Sequence, residues 1–340
     1  SKEMGDSKRI YEEISREIPK EISEKKFFKG TPLDSPISWQ ITPPLYNDYE
    51  RSFNIVKSNI MAGNSYLTNL TNRVPVSCNL SLEEIFHRAK GKYKLLLRRK
   101  RTQAEDKAHL KEENIEENLT PFVCFSPETF VRIKGGRIYS YPMKGTLDAS
   151  LPNAEKLLME DRKEAAEHAT IVDLIRNDLS RVAEDVRVDK YRYVDVLHTN
   201  KGDILQTSSE ISGRLPEDYP HHLGEILDAQ LPAGSITGAP KDKTMQIIQE
   251  AEGYDRGFYT GIMGIYDQGE LNSAVMIRFI EEETSPVDFE ADGEKNFKAN
   301  EGKKPKKSRK LYFKAGGGIT SKSDCRREYE EVIQKIYLPF

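Results

Sequence analysis

Lys144 stands near the middle of the segment IYSYPMKGTLDASLP. The alternation of residues up to position 141 predicts a strand, Pro142 ends its hydrogen-bond ladder, and Gly145 frees the backbone to turn. We therefore expect Lys144 at a corner between a strand and a loop. A single lysine is usually a solvated surface residue, but an amine at the mouth of a pocket, partly stripped of water, can act as a nucleophile.

Four glutamates form two pairs at helical spacing. Glu164 and Glu167 are three residues apart in one predicted helix, and Glu328 and Glu331 are three apart in another, so each pair leaves its helix from one face. Lys335 follows one turn after the second pair. Two such faces across a pocket would supply the carboxylate oxygens that Mg²⁺ prefers. Each pair alone is also typical of a solvated helix face.

Glycine-bearing segments could present backbone N–H groups to an anion. Gly316, Gly317 and Gly318 follow an apolar strand and precede a helix, and the segment LPAGSITGAPK contains a second glycine turn before a helix. Neither segment has a dinucleotide-binding or P-loop pattern, so nucleotide binding is disfavoured. Arg278 lies in the apolar run SAVMIRFIE, predicted as the interior of a strand, where a charge must be paired or bind a ligand.

The spacing of apolar residues predicts the elements that must position these side chains. Apolar residues recur at helical spacing from Tyr49 to Ile60, before Gly63. Further helices are predicted at 152–179, 221–231 and 240–252, and strands at 65–76, 122–125, 191–213, 257–281 and 311–318, with a hairpin turn at 267–270. Hairpins without regular strand–helix–strand alternation favour an α+β fold.

The composition disfavours several classes of protein. The 340 residues carry 52 Lys plus Arg against 55 Asp plus Glu, a net charge of -3, so an overall basic field for nucleic acid is lacking. Cys78, Cys124 and Cys325 have neither zinc-site nor disulfide-framework spacing. No apolar run reaches eighteen residues, and the polar start lacks the apolar stretch of a secretion signal. We expect a cytoplasmic protein without membrane or nucleic-acid partners.

Two charged stretches interrupt the apolar pattern, near residues 100–120 and 282–310. Almost nothing in them could pack in a core, so both are predicted to be solvated. The basic run 303–310 is the candidate for a polyanion patch, although such loops are usually only solvated. We divide the chain into an N-terminal segment, 1–44, and one large domain, 45–340, that contains both stretches.

Several motifs occur in the order seen in chorismate-utilising enzymes: SPETF, PMKGT, EHATIVDLIRNDLSRV, PAGSITGAPK, YTGIMGIY, AVMIRF, AGGGIT and EYEEVIQK. From about residue 45 the chain resembles that family. Its anthranilate synthases read PIAGT where its aminodeoxychorismate synthases read PIKGT, and this chain has Lys144 at the deciding position. The resemblance implies a single α+β domain with two large, mostly antiparallel sheets packed face to face and helices outside.

The resemblance also implies a mechanism. Lys144 would attack C2 of chorismate and expel the C4 hydroxyl, Glu128 of SPE would protonate that leaving group, and ammonia would then displace the lysine. The product would be 4-amino-4-deoxychorismate, used for 4-aminobenzoate and folate. By the same resemblance, Glu167 and Glu331 would bind Mg²⁺, with Glu164 and Glu328 as inner or water-mediated partners. The substrate carboxylates would be held by Gly145, Thr146, Tyr259, Arg278, Gly316, Gly317, Gly318 and Lys335.

Three departures and absences limit the assignment. No glutaminase nucleophile turn is found, so ammonia should come from a separate glutamine amidotransferase subunit. Leu67 stands where related isochorismate and salicylate synthases carry a water-activating lysine, which disfavours water addition. Gln206 stands where many relatives have a histidine, which leaves its role open. Anthranilate synthase component I and a catalytically inactive binding protein of the same fold remain the alternatives.

Overall fold

The computed structural model describes residues 36–98, 120–199, 202–286 and 307–340. Most of the predicted N-terminal segment, residues 100–119 of the first charged stretch and residues 287–306 of the second lie outside the described residues. The ends of the second stretch are not loop, because residues 282–286 and 307–310 continue two paired strands. Ser38–Phe340 forms one compact unit.

Strands and helices follow one another without a regular alternation. The strands are β1 (Trp39–Ile41), β2 (Leu67–Cys78), β3 (Tyr93–Leu97), β4 (Phe122–Ser126), β5 (Thr129–Lys134), β6 (Arg137–Ser140), β7 (Met143–Asp148), β8 (Glu184–Thr199), β9 (Gly202–Arg214), β10 (Gly238–Ala239), β11 (Ile262–Asp267), β12 (Glu270–Val275), β13 (Phe279–Pro286) and β14 (Lys307–Thr320). The helices are α1 (Tyr46–Met61), α2 (Leu82–Arg88), α3 (Ala154–Glu160), α4 (Arg162–Leu179), α5 (Leu223–Gln230), α6 (Gly234–Thr237), α7 (Lys241–Glu252) and α8 (Cys325–Gln334). None of these helices is long and apolar enough to cross a membrane.

The strands form two antiparallel sheets. The first has the order β1-β2-β14-β13-β4-β3, with β10 also paired to β2, and the second has the order β11-β12-β5-β6-β9-β7, with β8 also paired to β9. Consecutive β12 and β13 belong to different sheets, so the short segment between them crosses from one sheet to the other. The predicted α+β fold with two antiparallel sheets is confirmed.

Each sheet packs against its own helices. Helix α1 buries Tyr49, Phe53, Val56 and Ile60, the residues whose spacing predicted it, in a core that also contains Phe313 of β14. The other core joins α4, α5 and α6 to the second sheet. Burial of one large apolar side chain contributes about 1.5–3 kcal/mol, so these cores fix the helices that carry the site.

The helical region predicted at 152–179 is two helices rather than one. Asp161 is extended between α3 and α4, and its Oδ1 accepts a hydrogen bond from the backbone N–H of Glu164 at 3.0 Å. An aspartate that caps N–H groups in this way favours a helix start. The new start places both predicted α4 glutamates in the first two turns, where the helix faces β7.

Candidate active site

Lys144 lies in β7, directly before a bulge in its pairing with β9. Lys144 and Thr146 pair with the neighbouring residues Thr207 and Gln206, which leaves Gly145 as the extra residue. The Thr207 hydroxyl donates a hydrogen bond to the Lys144 carbonyl. The predicted corner between strand and loop is therefore wrong in part, because the chain enters a new strand after the proline. Gln206 lies beside the Gly145–Thr146 step.

The bulge requires glycine at position 145. Gly145 has φ +75, and a Cβ atom there would lie 3.2 Å from Glu164 Oε2 and 3.3 Å from Leu158 Cδ1. Any other residue at position 145 would be strained at this positive φ, and its Cβ atom would crowd Glu164 and Leu158. The glycine thus lets β7 approach α4 closely enough for an ion pair.

The Lys144 ammonium group lies among carboxylates from two helices. Its Nζ is 2.9 Å from Glu167 Oε2 of α4, and the lysine side chain is about two-thirds buried. Burial by itself would lower the pKa of Lys144, but the charges of Glu167, Glu164 and Glu331 outweigh it and raise that pKa. Three of the four predicted glutamates, from both helices, therefore act on one amine, which stays protonated in this state.

The α8 residues meet the glycine strand. Lys335 Nζ lies 2.7 Å from Glu331 Oε1 and donates a hydrogen bond to the Gly316 carbonyl at 2.9 Å. A Cβ atom on Gly317 would lie 3.6 Å from Glu328 Oε2, 3.6 Å from Lys335 Nζ and 3.8 Å from Glu331 Oε1. The absence of a side chain at Gly317 thus leaves room in front of these charged groups.

The three glycines lie in the strand that was predicted at 311–318, and the helix start considered for anion binding is not formed by them. Gly316, Gly317 and Gly318 lie within β14 and pair with β2. At Gly316 a Cβ atom would lie 2.5 Å from the Leu70 carbonyl oxygen, so close strand packing requires glycine. Strand β13 pairs with β14 only between Lys307 and Lys314 and does not cover the glycine stretch. An anion would therefore meet a strand edge rather than a helix N-terminus.

Glu128 occupies the short turn between β4 and β5. Ser235 Oγ donates a hydrogen bond to Glu128 Oε1 at 2.6 Å. Burial raises the pKa of Glu128, while Ser235 and the Arg278 charge oppose that rise. A carboxyl group with a raised pKa can serve as a general acid. Sequence reasoning did not select Ser235, although its motif, PAGSITGAPK, was recognised.

Arg278 does not lie inside a strand, which corrects the sequence prediction. It ends the segment that crosses from β12 to β13, where its φ is +56. Such a conformation is uncommon for a residue with a side chain. Within the described ranges, its buried Nε has no hydrogen-bond partner, and its guanidinium lies 5.9 Å from the centre of the Tyr337 ring. An unpaired buried donor fits a site for an anionic acceptor.

Tyr259 lies deeper than a simple substrate contact would require. It is only 3% exposed and packs in a cluster with Phe279, whose ring centre is 5.8 Å away. Burial raises the pKa of the Tyr259 hydroxyl, and the charges of Arg256 and Arg278 oppose that rise. Tyr259 is therefore electrostatically coupled to Arg278, while most of its ring belongs to the core.

The acidic residues have the chemistry for Mg²⁺ but are held by lysines. In the part of the chain that the structure describes, no three His, Cys, Asp or Glu side chains form a metal-binding group. Glu167 contacts Lys144 and Glu331 contacts Lys335. Carboxylate oxygens are the ligands that a hard cation prefers, and carboxylates from both helices act on the Lys144 amine.

His168, next to Glu167 in sequence, was missed by sequence reasoning. It is fully buried, and its Nε2 lies 2.7 Å from the Ser209 hydroxyl oxygen of β9. Burial, with the charges of Arg192 and Lys144, lowers the pKa of His168 to about 4. A single histidine in a helix gives no sequence signal for this contact, because Ser209 is 41 residues away.

We expect His168 to make the fold sensitive to acid. Its folded pKa lies below the ordinary value, so the unfolded chain binds more protons between about pH 6.5 and 4, and stability falls as the pH decreases through that window. The free energy of unfolding should fall by roughly 2 kcal/mol from this group between pH 7 and 4.5. Urea unfolding of the parent, His168→Gln and the exposed control His221→Gln at both pH values would measure it. An equal acid-induced loss in all three proteins would contradict this assignment.

The chain belongs to the chorismate binding enzyme family, whose sequence model matches residues 4–293. It is 47% identical over 309 residues to the uncharacterized PabA-like protein of Haemophilus influenzae, an alignment that covers 91% of this chain and 80% of that protein. It is 35% identical over 222 residues to anthranilate synthase component 1 of Aquifex aeolicus, which covers 62% of this chain and 38% of that protein. The resemblance to chorismate-utilising enzymes is thus confirmed.

A solved structure supports the fold. Anthranilate synthase component I from Streptococcus pneumoniae TIGR4 superimposes with a TM-score of 0.66 at 23% identity. The match covers 98% of this chain and 64% of that one, so this chain spans somewhat less than two thirds of its length. At this identity the likeness supports the two-sheet architecture and carries no statement about activity.

Proposed function

We propose that this protein aminates chorismate at C4, as the synthase component of an aminodeoxychorismate synthase. The observation that carries the proposal is the amine of Lys144, 2.9 Å from Glu167 and within the field of carboxylates from two helices. The lysine stands where the otherwise similar anthranilate synthase motif has alanine. The product is 4-amino-4-deoxychorismate, a precursor of 4-aminobenzoate and folate.

Two successive displacements account for the reaction. Lys144 first loses its ammonium proton to solvent, and the neutral amine then attacks C2 of the ring. The C4 hydroxyl leaves as water with a proton from Glu128. Ammonia then attacks C4, and the bond between C2 and the lysine nitrogen breaks. Glu128 takes up the proton that the new C4 ammonium loses, and the released Lys144 amine takes a proton from solvent, so both residues return to their starting forms. The raised pKa of Glu128 supports its role as the acid.

The substrate's two carboxylates would lie against the positive and N–H groups around this amine. The unpaired Nε of Arg278 is one donor, and a guanidinium is well matched to a carboxylate. Further hydrogen-bond donors to the substrate carboxylates are Lys335, Thr146 and the edge of β14. In this proposal Tyr259 supports Arg278 and closes the end of the site.

Glu167 and Glu331 would hold Mg²⁺, with Glu164 and Glu328 beside them. A bound Mg²⁺ would neutralise and orient the ring carboxylate of chorismate. Glu167 also keeps the Lys144 ammonium in place, 2.9 Å away. The same carboxylates thus position the nucleophile before the substrate arrives.

Anthranilate synthase component I is the second candidate, because relatives of that name match 62% of this chain. A product assay with chorismate, Mg²⁺ and ammonium separates the two activities. Aminodeoxychorismate supports the proposal, whereas anthranilate supports the second candidate. Formation of neither product would favour a binding protein that retains the fold.

We expect the isolated chain to use ammonium but not glutamine. Glutamine hydrolysis needs an activated cysteine with an oriented base. Burial raises the pKa of the Cys124 thiol to about 12, and burial also raises the pKa of Cys325. Amination rates with ammonium, with glutamine, and with glutamine plus a glutaminase subunit would test this. Glutamine turnover by the isolated chain that persists in Cys325→Ser would contradict it.

A further inference from the structure

A small cavity adjoins the Glu128 carboxyl group. Its volume is about 30 Å³. That is room for about two water molecules. Strands β5 and β6 and the turn after β6 form one wall, and α4 and the segment 230–235 form the other. The lining residues that matter here are Glu128, Ser140, Pro142, Asp178, Ala233 and Ser235.

The lining contains buried polar groups that already have hydrogen-bond or ion-pair partners. Ser140 is 5% exposed, and its hydroxyl donates a hydrogen bond to the Phe130 carbonyl at 3.3 Å. Asp178 is 7% exposed and lies 2.9 Å from Lys241 Nζ. A cavity of this size with several hydrogen-bonding groups suits a small polar molecule, whereas an apolar one would stay dry.

The cavity is distinct from the groups assigned to chorismate. Lys144, Thr146, Arg278 and the β14 glycines do not line it, and its volume is far below that of a ten-carbon substrate. It nevertheless touches Glu128, the acid placed at C4. A molecule in the cavity would therefore stand next to the carbon that ammonia must attack.

The charges of the lining residues favour a neutral ligand. The negative charge of Asp178 is balanced by Lys241 at 2.9 Å. The raised pKa of Glu128 favours its uncharged form. Ammonium would lose its hydration there without an unpaired anion to replace it, which is costly. Ammonia has the size of water, keeps hydrogen-bond acceptors in reach, and is the form that can attack.

We propose that this cavity binds the ammonia that attacks C4 and delivers it beside Glu128. The inference rests on the proposed amination of chorismate and adds a binding site for its second substrate. Ser235 contacts Glu128, and Ala233, two residues before Ser235 in the chain, also lines the cavity. The cavity should therefore control the use of ammonia without controlling the binding of chorismate.

Filling the cavity tests this site. Ala233→Val adds two carbons to the wall and should raise the KM for ammonium by about tenfold or more. The KM for chorismate at saturating ammonium should stay within about twofold, since none of the residues assigned to the substrate carboxylates lines the cavity. Ser140→Thr adds one methyl group at a second wall position and should act in the same direction. Thermal unfolding of each variant shows whether it is folded.

Matched controls separate this effect from general overpacking. Ala251→Val makes the same change in the core of the other sheet, where Ala251 is 5% exposed, and should leave the KM for ammonium unchanged. An unchanged KM for ammonium in a folded filled variant would overturn the proposal. So would a parallel rise in both KM values, which would assign the cavity to chorismate. If the parent forms no aminodeoxychorismate at any ammonium concentration, the proposed function fails and this site fails with it.

Discussion

Replacement of Lys144 by alanine should lower the rate of chorismate amination by about 10³-fold or more, the effect expected when a covalent nucleophile is lost. The amine contacts Glu167 at 2.9 Å and has carboxylates from both α4 and α8 around it. No other group in this arrangement is proposed to attack C2. Initial rates with ammonium and Mg²⁺ measure the loss, and mass spectrometry of the parent with chorismate should find added mass on the peptide that contains Lys144.

The matched variant Lys144→Arg separates charge from nucleophilicity. Arginine can keep the ion pair with Glu167 but cannot lose its proton near neutral pH, so it should be as inactive as alanine. A purely electrostatic role for the lysine would instead leave the arginine variant active. Amination by Lys144→Ala at the parent rate, or an adduct on a different peptide, would refute the mechanism. Some anthranilate from the alanine variant would agree with the PIAGT motif of anthranilate synthases.

The sequence could predict those features that depend on residues close together in the chain. The apolar spacing of α1 predicted both the helix and its four buried residues, because a helix repeats every 3.6 residues. The two glutamate pairs were also visible, since each lies on one helical turn. That Glu164, Glu167 and Glu331 act on Lys144 was not predicted, because α4 and α8 lie more than 140 residues apart in the chain.

Contacts between distant segments account for what the sequence could not predict. The apolar run around Arg278 reads as one strand, because nothing in its pattern shows that β12 and β13 join different sheets. The contact between Ser235 and Glu128 spans 107 residues. The strand that contains the β14 glycines was predicted, but their crowding was not, because it comes from β2, a strand paired by tertiary structure.

The second large effect concerns the acidic pairs. Glu167→Gln and Glu331→Gln keep the side-chain volume but remove one carboxylate charge, so each should lower the amination rate by more than the 10- to 100-fold typical of outer metal partners. Glu164→Gln and Glu328→Gln should fall within that range of about 10- to 100-fold. Rates measured across a series of Mg²⁺ concentrations distinguish weaker metal binding from a lower maximal rate.

Glu330→Gln is the matched control, because Glu330 is on α8 beside Glu331, is more than half exposed and pairs with Arg326 at 2.9 Å. It should leave both the rate and the Mg²⁺ dependence unchanged, since an exposed ion pair contributes little. Circular dichroism should show that all variants remain folded. A near-normal Mg²⁺ dependence in Glu167→Gln or Glu331→Gln would remove that residue from the metal site. For Glu167, such a result would leave one role, the ion pair that positions the Lys144 amine.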